Sequence, residues 1–289
     1  MGGKLNIKLP NPEGVAAGGT ATFRIPVGRR IHGMSLKYKQ GTQTPATFTE
    51  IRLYINGQVF QRFSGTQRDK LNQFEKTAAA AGVLKIPFDR KGLITLAGRE
   101  QTAINTGVAD EFGRKISSMY MEVDIAAGAT IAATDLELWS KESDAILTDT
   151  SGKPYGAGII PYIRTEQRSV AGADSDFQLS DLVNPGVNAQ DKVALNRVTF
   201  IPSAGVINRM KIDRNTYNVF DRPDSINRFL QADGVRVPIA GYYSIDTTEN
   251  GQGGELIDLF GMTDFRYRLD VSAAATITIL SEYFGTLQS

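Results

Sequence analysis

The feature that most constrains this chain is a long internal repeat. Met119 to Trp139 reads MYMEVDIAAGATIAATDLELW, and Phe265 to Phe284 reads FRYRLDVSAAATITILSEYF. Each stretch alternates, breaks at a run of small residues, then alternates again. Asp124 matches Asp270, Ala129 matches Ala275, Thr130 matches Thr276 and Ile131 matches Ile277, all 146 residues apart. Past the corner the separation is 145, matching Glu137 with Glu282 and Trp139 with Phe284. Alternation of this kind is the period of a strand with one buried face. A repeat this long predicts two copies of one supersecondary plan. The small-residue corner is expected to be a hairpin, because small side chains allow close backbone approach. Val123 and Ile125 would then face one core, with Ile131 and Leu136 returning to it. The pair would close each unit, with Trp139 and Phe284 capping the ends or reaching across to a neighbour.

Weaker echoes extend the repeat along the chain. Phe177 and Leu179 echo Phe23 and Ile25 at a separation of 154. Met210 and Ile212 echo Leu53 and Ile55 at 157, and Phe229 falls where Leu71 fell at 158. Strands are expected over Ala21–Val27, Ile31–Tyr38, Phe48–Ile55, Val59–Phe63 and Val83–Phe88, followed by Ile94 and Leu96. Asn56-Gly57 predicts a type I′ hairpin, since both residues tolerate positive φ. A helix should start at Ser64 or Thr66, stop at Gly82, and bury Leu71, Phe74, Ala78 and Ala81. Residues Thr102 to Lys115 read as polar loop. In the second half, Val193–Ile201 stands where Ile31–Tyr38 stood. Pro223, Asp224 and Ser225 should open a short helix with Ile226, Phe229 and Leu230 inward, closed by Gly234. The expected fold is all-β: two consecutive eight-stranded jelly rolls, a double jelly roll, with a short loop helix in each. The expected boundaries are 1–145 for the first roll with its N-terminal arm, 146–160 for a linker and 161–289 for the second.

Composition narrows the function. The 289 residues are 41% apolar, enough for a core in each half, and 29 Gly supply turns. Lys and Arg number 32 against 31 Asp and Glu. Such balance argues against specific nucleic-acid binding, which usually brings a basic excess. It also leaves little repulsion between copies. With no cysteine there is no disulfide, no thiolate nucleophile and no Cys-based zinc site. The start, MGGKLNIKLPNPEG, lacks the apolar core of a secretory signal. No apolar run approaches the ~20 residues of a membrane span. The chain reads as made in soluble form.

Three stretches carry a resemblance to a known family: IKLPNPEGVAAGGTATFRIPVGRRIHGMSLKYK, IRLYINGQVF and FRYRLDVSAAATITILSEYFG. Arg164 to Leu182, with its Ser180-Asp181-Leu182 turn, adds to them. Together they resemble the double jelly-roll major capsid proteins of tailless icosahedral bacteriophages with an internal membrane, the corticovirus-like phages in particular. The resemblance spans nearly the whole chain and rests on pattern, since no chemical signature defines the family. The loops Thr102–Lys115 and Gly251–Phe260 match least. The resemblance implies a homotrimer in which six rolls form a pseudo-hexagonal tile. Such tiles would pave a shell over a membrane, with pentameric vertex proteins and small viral membrane proteins or anionic lipid as partners. The chain would be made in the host cytoplasm and reside in the virion.

The candidate chemistry is sparse. His32 is the only histidine. It could belong to a Ser-His-Asp triad, but it stands mid-strand without a nucleophile motif. One imidazole also argues against a cupin-type metal enzyme. Gly251-Gln252-Gly253-Gly254 lacks the Gly-Lys-Ser/Thr ending of a phosphate loop and reads as surface loop. Asp110-Glu111, Asp174 with Asp176, and Asp246 with Glu249 are oxygen-rich, and shells like those above can use calcium between subunits. A structural Ca²⁺ is therefore weighed against solvated carboxylates, without EF-hand spacing to support it. Lys4, Arg29-Arg30, Lys37 and Lys39 read either as a basic edge toward anionic lipid or as a charged strand edge that blocks mispairing. Tyr54, Phe60, Phe63 and Phe74 are expected to cluster around the first helix as core. No catalytic, cofactor or metal residue is assigned. A self-assembling coat protein is the primary reading, and a virion spike or carbohydrate-binding double β-sandwich is the alternative.

Overall fold

The alternating runs become strands with one buried face. The computed structural model describes residues 3–77, 82–180, 182, 193–249, 251, 256–260, 262 and 264–287. The chain forms two units. The first comprises Met1–Gln73, Thr77–Ile163 and Thr286–Ser289, and the second Phe74–Lys76 and Arg164–Gly285. The first unit holds β1 (Leu5–Lys8), β2 (Thr20–Ile25), β3 (Arg29–Lys37), β4 (Phe48–Ile55) and β5 (Gln58–Phe63). Helix α1 (Gly65–Phe74), β6 (Val83–Pro87), α2 (Leu96–Glu100), β7 (Ile104–Asn105), β8 (Met119–Ile125) and β9 (Glu137–Asp144) follow. One sheet has the order β1-β9-β3-β6, with β7 also on β3, and the other has β5-β4-β8-β2. Ile31, Met34, Leu36 and Leu138 from the first sheet and Ile51, Leu53, Met121 and Val123 from the second are buried. Each such side chain contributes roughly 1.5–3 kcal/mol by leaving water.

The second unit repeats this plan strand for strand. β10 (Ile160–Val170) begins within the first unit and continues in the second. It is followed by β11 (Asp174–Leu179), β12 (Val193–Pro202), β13 (Ile207–Arg214) and β14 (Tyr217–Pro223). Then come α3 (Asp224–Gln231), β15 (Tyr243–Asp246), β16 (Ile257–Asp258), β17 (Phe265–Val271) and β18 (Ala275–Gly285). The orders are β10-β18-β12-β15, with β16 on β12, and β14-β13-β17-β11. Each position has its counterpart in the first unit. Phe265, Tyr267, Leu269 and Val271 are buried at the places of Met119, Met121, Val123 and Ile125.

Local chemistry sets the turns as the sequence suggests. Asn56 and Gly57 have φ of 51° and 80° and join β4 to β5 in a two-residue loop. The Asn56 carboxamide also accepts from the Ser117 and Ser118 amides and donates to the Lys115 carbonyl. Asn215 and Thr216, with φ of 46° and 72°, occupy the same place between β13 and β14. In β3 the register shifts between Ile31 and Gly33, which lets Ile31 and Met34 both face inward despite their odd spacing. Gly33 permits the close approach there, since a Cβ would come within 3.0 Å of the Ile86 carbonyl and Pro87 Cα. Ser64 caps α1 in a reciprocal box, its hydroxyl accepting from Gln67 N while Gln67 Oε1 accepts from Ser64 N.

Several expectations are corrected. The repeated corner is not a hairpin. β8 and β9 lie in opposite sheets, as do β17 and β18, so the chain crosses between the layers of each unit. Alternation reports a buried face but not which neighbour the strand will find. Small residues serve this crossing too. At Gly205, with φ of 69°, a Cβ would lie 2.9 Å from Ser272 Oγ and 3.0 Å from Ala273 Cβ. Leu136 is buried, whereas Ile131 is only partly so. Helix α1 ends at Phe74, well before Gly82, and Ala78 and Ala81 lie outside the described residues. Leu96 starts a short helix rather than a strand, and Ile94 and Leu96 are exposed. The stretch from Thr102 contains β7, and Thr102 to Thr106 are buried. Most consequential, α3 faces the other way. Ile226, Phe229 and Leu230 are exposed, while Asn227 and Gln231 are buried.

Leu53→Ala should lower the stability of the first unit by about 2–5 kcal/mol, because it removes buried methyl groups and leaves a cavity. Equilibrium denaturation followed by fluorescence measures this, and a change under 1 kcal/mol would contradict the central place of β4.

Candidate functional site

The lone histidine does find a serine and an aspartate. His32 on β3 is almost fully buried, with Nδ1 2.9 Å from Asp89 Oδ1 and Nε2 2.9 Å from Ser143 Oγ on β9. A carboxylate only accepts, so Nδ1–H donates to Asp89, and Nε2 is left to bond the Ser143 hydroxyl. The connectivity is that of a catalytic triad, but the surroundings are not. The His32 side chain is 1% exposed, closed to a substrate. Ser143 sits in regular strand opposite Arg30, not on a strained turn. The Asp89 amide is held by the His32 carbonyl, and its carboxylate also meets Lys4. The three groups tie β3 and β9 to the segment after β6.

The basic edge is neutralised within the unit. Lys4 bonds Asp89 and Glu100, Arg30 pairs with Glu100, and Arg29 lies within 4.0 Å of Glu142 and Asp144. Lys8 and Lys37 each donate to Glu137 at 3.1 Å, and Trp139 Nε1 does the same. Lys8, then Trp139 and Lys37, hold the Glu137 carboxyl down to about 2. Lys39 is exposed. This is the charged strand edge rather than a concentrated cationic face.

The acidic clusters are likewise engaged. Asp110 accepts from the Phe112 and Arg114 amides and from Arg114 Nε, and despite burial these hold its carboxyl below its ordinary value. Glu111 pairs with Lys153, and Asp176 with Arg268 in a two-bond fork. Asp174 accepts from the Asp176 amide. Among the described residues, no three His, Asp or Glu side chains converge in a group that could hold a metal. Gly251 has φ of 69°, whereas Gln252, Gly253 and Gly254 lie outside the described residues, as does Asp181. Of the four aromatics, Phe60, Phe63 and Phe74 are buried. Tyr54 instead lies on the outer face of β4, stacked on Tyr120 at 4.3 Å and bonded to Glu122. Strand alternation, with Leu53 and Ile55 inward, required that.

What residue patterns did not announce is a buried ionic network in the second unit. Arg197 on β12 forks onto Glu282 at 2.7–2.9 Å, reaches Glu75 at 2.7 Å, and lies over the Phe74 ring at 5.2 Å. Arg236 bonds Asp246 at 2.6 Å, Asp233 at 2.7 Å and Thr248. Asp246 in turn accepts from the Thr248 amide and hydroxyl. Burial disfavours the Asp246 charge, but Arg197 and Arg236 outweigh it and leave the carboxyl below its ordinary value. Only the match of Glu282 to Glu137 hinted at this cluster, and the two glutamates have different partners. The network fastens the segment after α1 and the turn after β15 to the sheet. Its charges are matched by one another, Arg197 by Glu75 and Glu282 and Arg236 by Asp233 and Asp246, so its chemistry is structural.

Each unit is a two-sheet sandwich of the same topology, braced internally by buried polar clamps. Comparison with family models supplies the class, a viral coat protein. The model described as viral coat protein P2 N-terminal domain matches residues 6–143. The one described as viral coat protein P2 C-terminal domain matches residues 160–287. The chain belongs to this coat protein family, and is a non-enzymatic structural protein of the virion. Its fold is similar to that of the major capsid protein P2 from bacteriophage PM2, with TM-score 0.82 and 16% identity over 99% of this chain and 98% of that one. The Sulfolobus Turreted Icosahedral Virus structure gives 0.66 and 10% over 98% and 91%. The PBCV-1 virus capsid gives 0.61 and 11% over 99% and 96%. No curated protein sequence matches the chain.

Two outcomes follow. A fluorophosphonate probe for activated serines should leave the protein unlabelled, and stoichiometric labelling lost in Ser143→Ala would overturn the structural assignment of His32. Asp246→Asn should cost about 3–5 kcal/mol at pH 7, because it leaves buried arginines underpaired. A carboxyl with a depressed folded pKa contributes stability above the unfolded value of ~3.9 and loses it as pH falls through the folded value. The thermal midpoints of wild type and variant should therefore converge as pH drops below about 4, and a constant gap would contradict this role.

Proposed function

We propose that this chain is the major capsid protein of an icosahedral virus, and that three copies form a pseudo-hexagonal tile of six rolls. The observation that carries this reading is the one-to-one correspondence of strands between the two units. A chain with two equivalent rolls gives near six-fold surroundings when repeated three times, because each roll meets neighbours of its own kind. A closed ring of this sort uses different surfaces on its two sides, as head-to-tail contacts do. The near-balance of charge, 32 against 31, leaves no net field to hold copies apart.

In this reading the first roll with its arm covers 1–145, the linker 146–160 and the second roll 161–289. The tiles pave a shell over an internal membrane. The other partners are a vertex protein and, beneath the shell, small membrane proteins or anionic lipid. The likeness to bacteriophage PM2 P2 supports the reading through fold. The alternative of a glycan-binding module loses its support, since the single tryptophan, Trp139, is half-buried and bonded to Glu137.

Sedimentation equilibrium of the purified chain should give three times the chain mass, and electron microscopy of concentrated protein should show hexagonal tiles. A monomer at all accessible concentrations would overturn the proposal.

A further inference from the structure

We propose that the outer face of the β13-β17 pair, beside the turn from β13 to β14, is a binding site for an acidic sugar, a hydroxylated ring that carries one carboxylate or phosphate. The site lies wholly within the second unit, and the proposal does not depend on the tile reading.

A cavity of about 380 Å³ opens there. Its walls are three cations (Lys211, Arg266 and Arg268), two carboxylates (Asp213 and Asp264) and the polar pair Thr216 and Asn218. The volume falls within the range of small-ligand sites. Strand alternation places the charges. Met210, Ile212, Tyr267 and Leu269 are buried in the core, so the residues between them stand on the opposite face.

The equivalent face of the first unit shows what is unusual here. In register, Arg52 of β4 faces Glu122 of β8, and Glu50 faces Asp124. At the same places in the second unit Lys211 faces Arg268, and Arg209 faces Asp270. Arg52 is saturated, bonding Glu122 at 3.2 Å, Glu50 at 2.5 Å and Asp124 at 2.9 Å. Around Lys211 two of those three acids are replaced by arginine. Asp221, on the other side of Lys211 in register, is held in a fork by Arg209, and Asp176 is held in one by Arg268. Lys211 itself makes no ion pair among the described residues. Like charges directly opposite on paired strands are destabilising. An anion between Lys211 and Arg268 removes that repulsion.

The carboxylates select the rest of the ligand. Asp264 holds Arg266, while Asp213 accepts from Asn218 Nδ2 at 3.1 Å and lies 3.4 Å from Arg268 Nη1. A carboxylate has about four acceptor sites, so both retain capacity for hydroxyl donors. A bare inorganic anion meets their repulsion with nothing in return, whereas a sugar acid places its charge on the cations and its hydroxyls on the acids. Thr216 and Asn218, both exposed at the turn, add a hydroxyl and an amide. Among the described residues no aromatic ring lines the cavity, so recognition runs through charge and hydrogen bonds and not through stacking.

Ligand-detected saturation-transfer NMR on the full-length protein tests this with glucuronate, glucose 6-phosphate and glucose. At least one acidic sugar should bind tenfold or more tighter than glucose, and the tighter of the two identifies the acid. Inorganic phosphate should displace it only at tenfold or more higher concentration. Lys211→Met should weaken binding at least tenfold, and Lys39→Ala, on an exposed residue of the first unit, should not. Binding of glucose equal to that of the acids, equal displacement by inorganic phosphate, unchanged binding in folded Lys211→Met, or no saturable binding at all would each overturn the proposal. Should Lys211→Met misfold, the wild-type comparison with glucose and inorganic phosphate decides alone.

Discussion

Everything in each unit depends on two sheets, each with one apolar face to hide. Strand side chains alternate, so a run such as Met119 to Ile125 offers four apolar groups on one side and polar groups on the other. Neither sheet can bury its face alone. Packed together, they remove both faces from water, and the gain is paid against the chain entropy of long crossing connections. The corner after β8 is one of those connections. Its Ala and Gly residues let the chain pass from layer to layer, so the strands on either side contribute to opposite halves of one core.

Once the core is set, polar groups decide what the surface looks like. A buried amide or guanidinium needs partners, because an unmet buried polar group costs about 1–3 kcal/mol. Asn227 and Gln231 find theirs in the Ser244 carbonyl, and that choice rotates α3. Arg197 and Arg236 find theirs in four carboxylates, and that choice fastens the turn after β15. The same logic closes His32 between Asp89 and Ser143. A catalytic-looking arrangement arises here because imidazole, hydroxyl and carboxylate satisfy one another well in a dry interior.

The fold was largely legible because strand register is forgiving in a particular way. Met210 and Ile212 were matched to Leu53 and Ile55 at a separation of 157. The pairings of Leu53 with Met121 and of Ile212 with Tyr267 place the true separation at 159. A slip of two along a strand keeps every side chain on its face, so the inward assignment survived. Phe229 was matched to Leu71 at 158, a slip of one. On a helix each residue turns about 100°, so a slip of one misplaces the apolar stripe, and Asn227 and Gln231 rather than Phe229 face inward. Apolar character reinforced the error, since Ile226, Phe229 and Leu230 look like core. Tyr54 failed for a related reason: its aromatic ring suggested the interior, while the period of β4 put it outside. The ionic network was hidden because its members come from five separated segments, and no spacing rule links Glu75, Arg197, Arg236, Asp246 and Glu282.

Duplication and divergence act on different parts of the molecule. Strand order, hairpin geometry and the amide bond from helix to strand persist in both units, since each serves a core that either copy must build. What changed is the outer layer. Gln67 and Lys70 of the first unit stand where Ile226 and Phe229 stand in the second, and β5 meets Ile163 whereas β14 meets no further strand among the described residues. Two rolls with a shared interior and unlike exteriors show that the core constrains what each copy must keep, while the solvent-facing residues are free to differ.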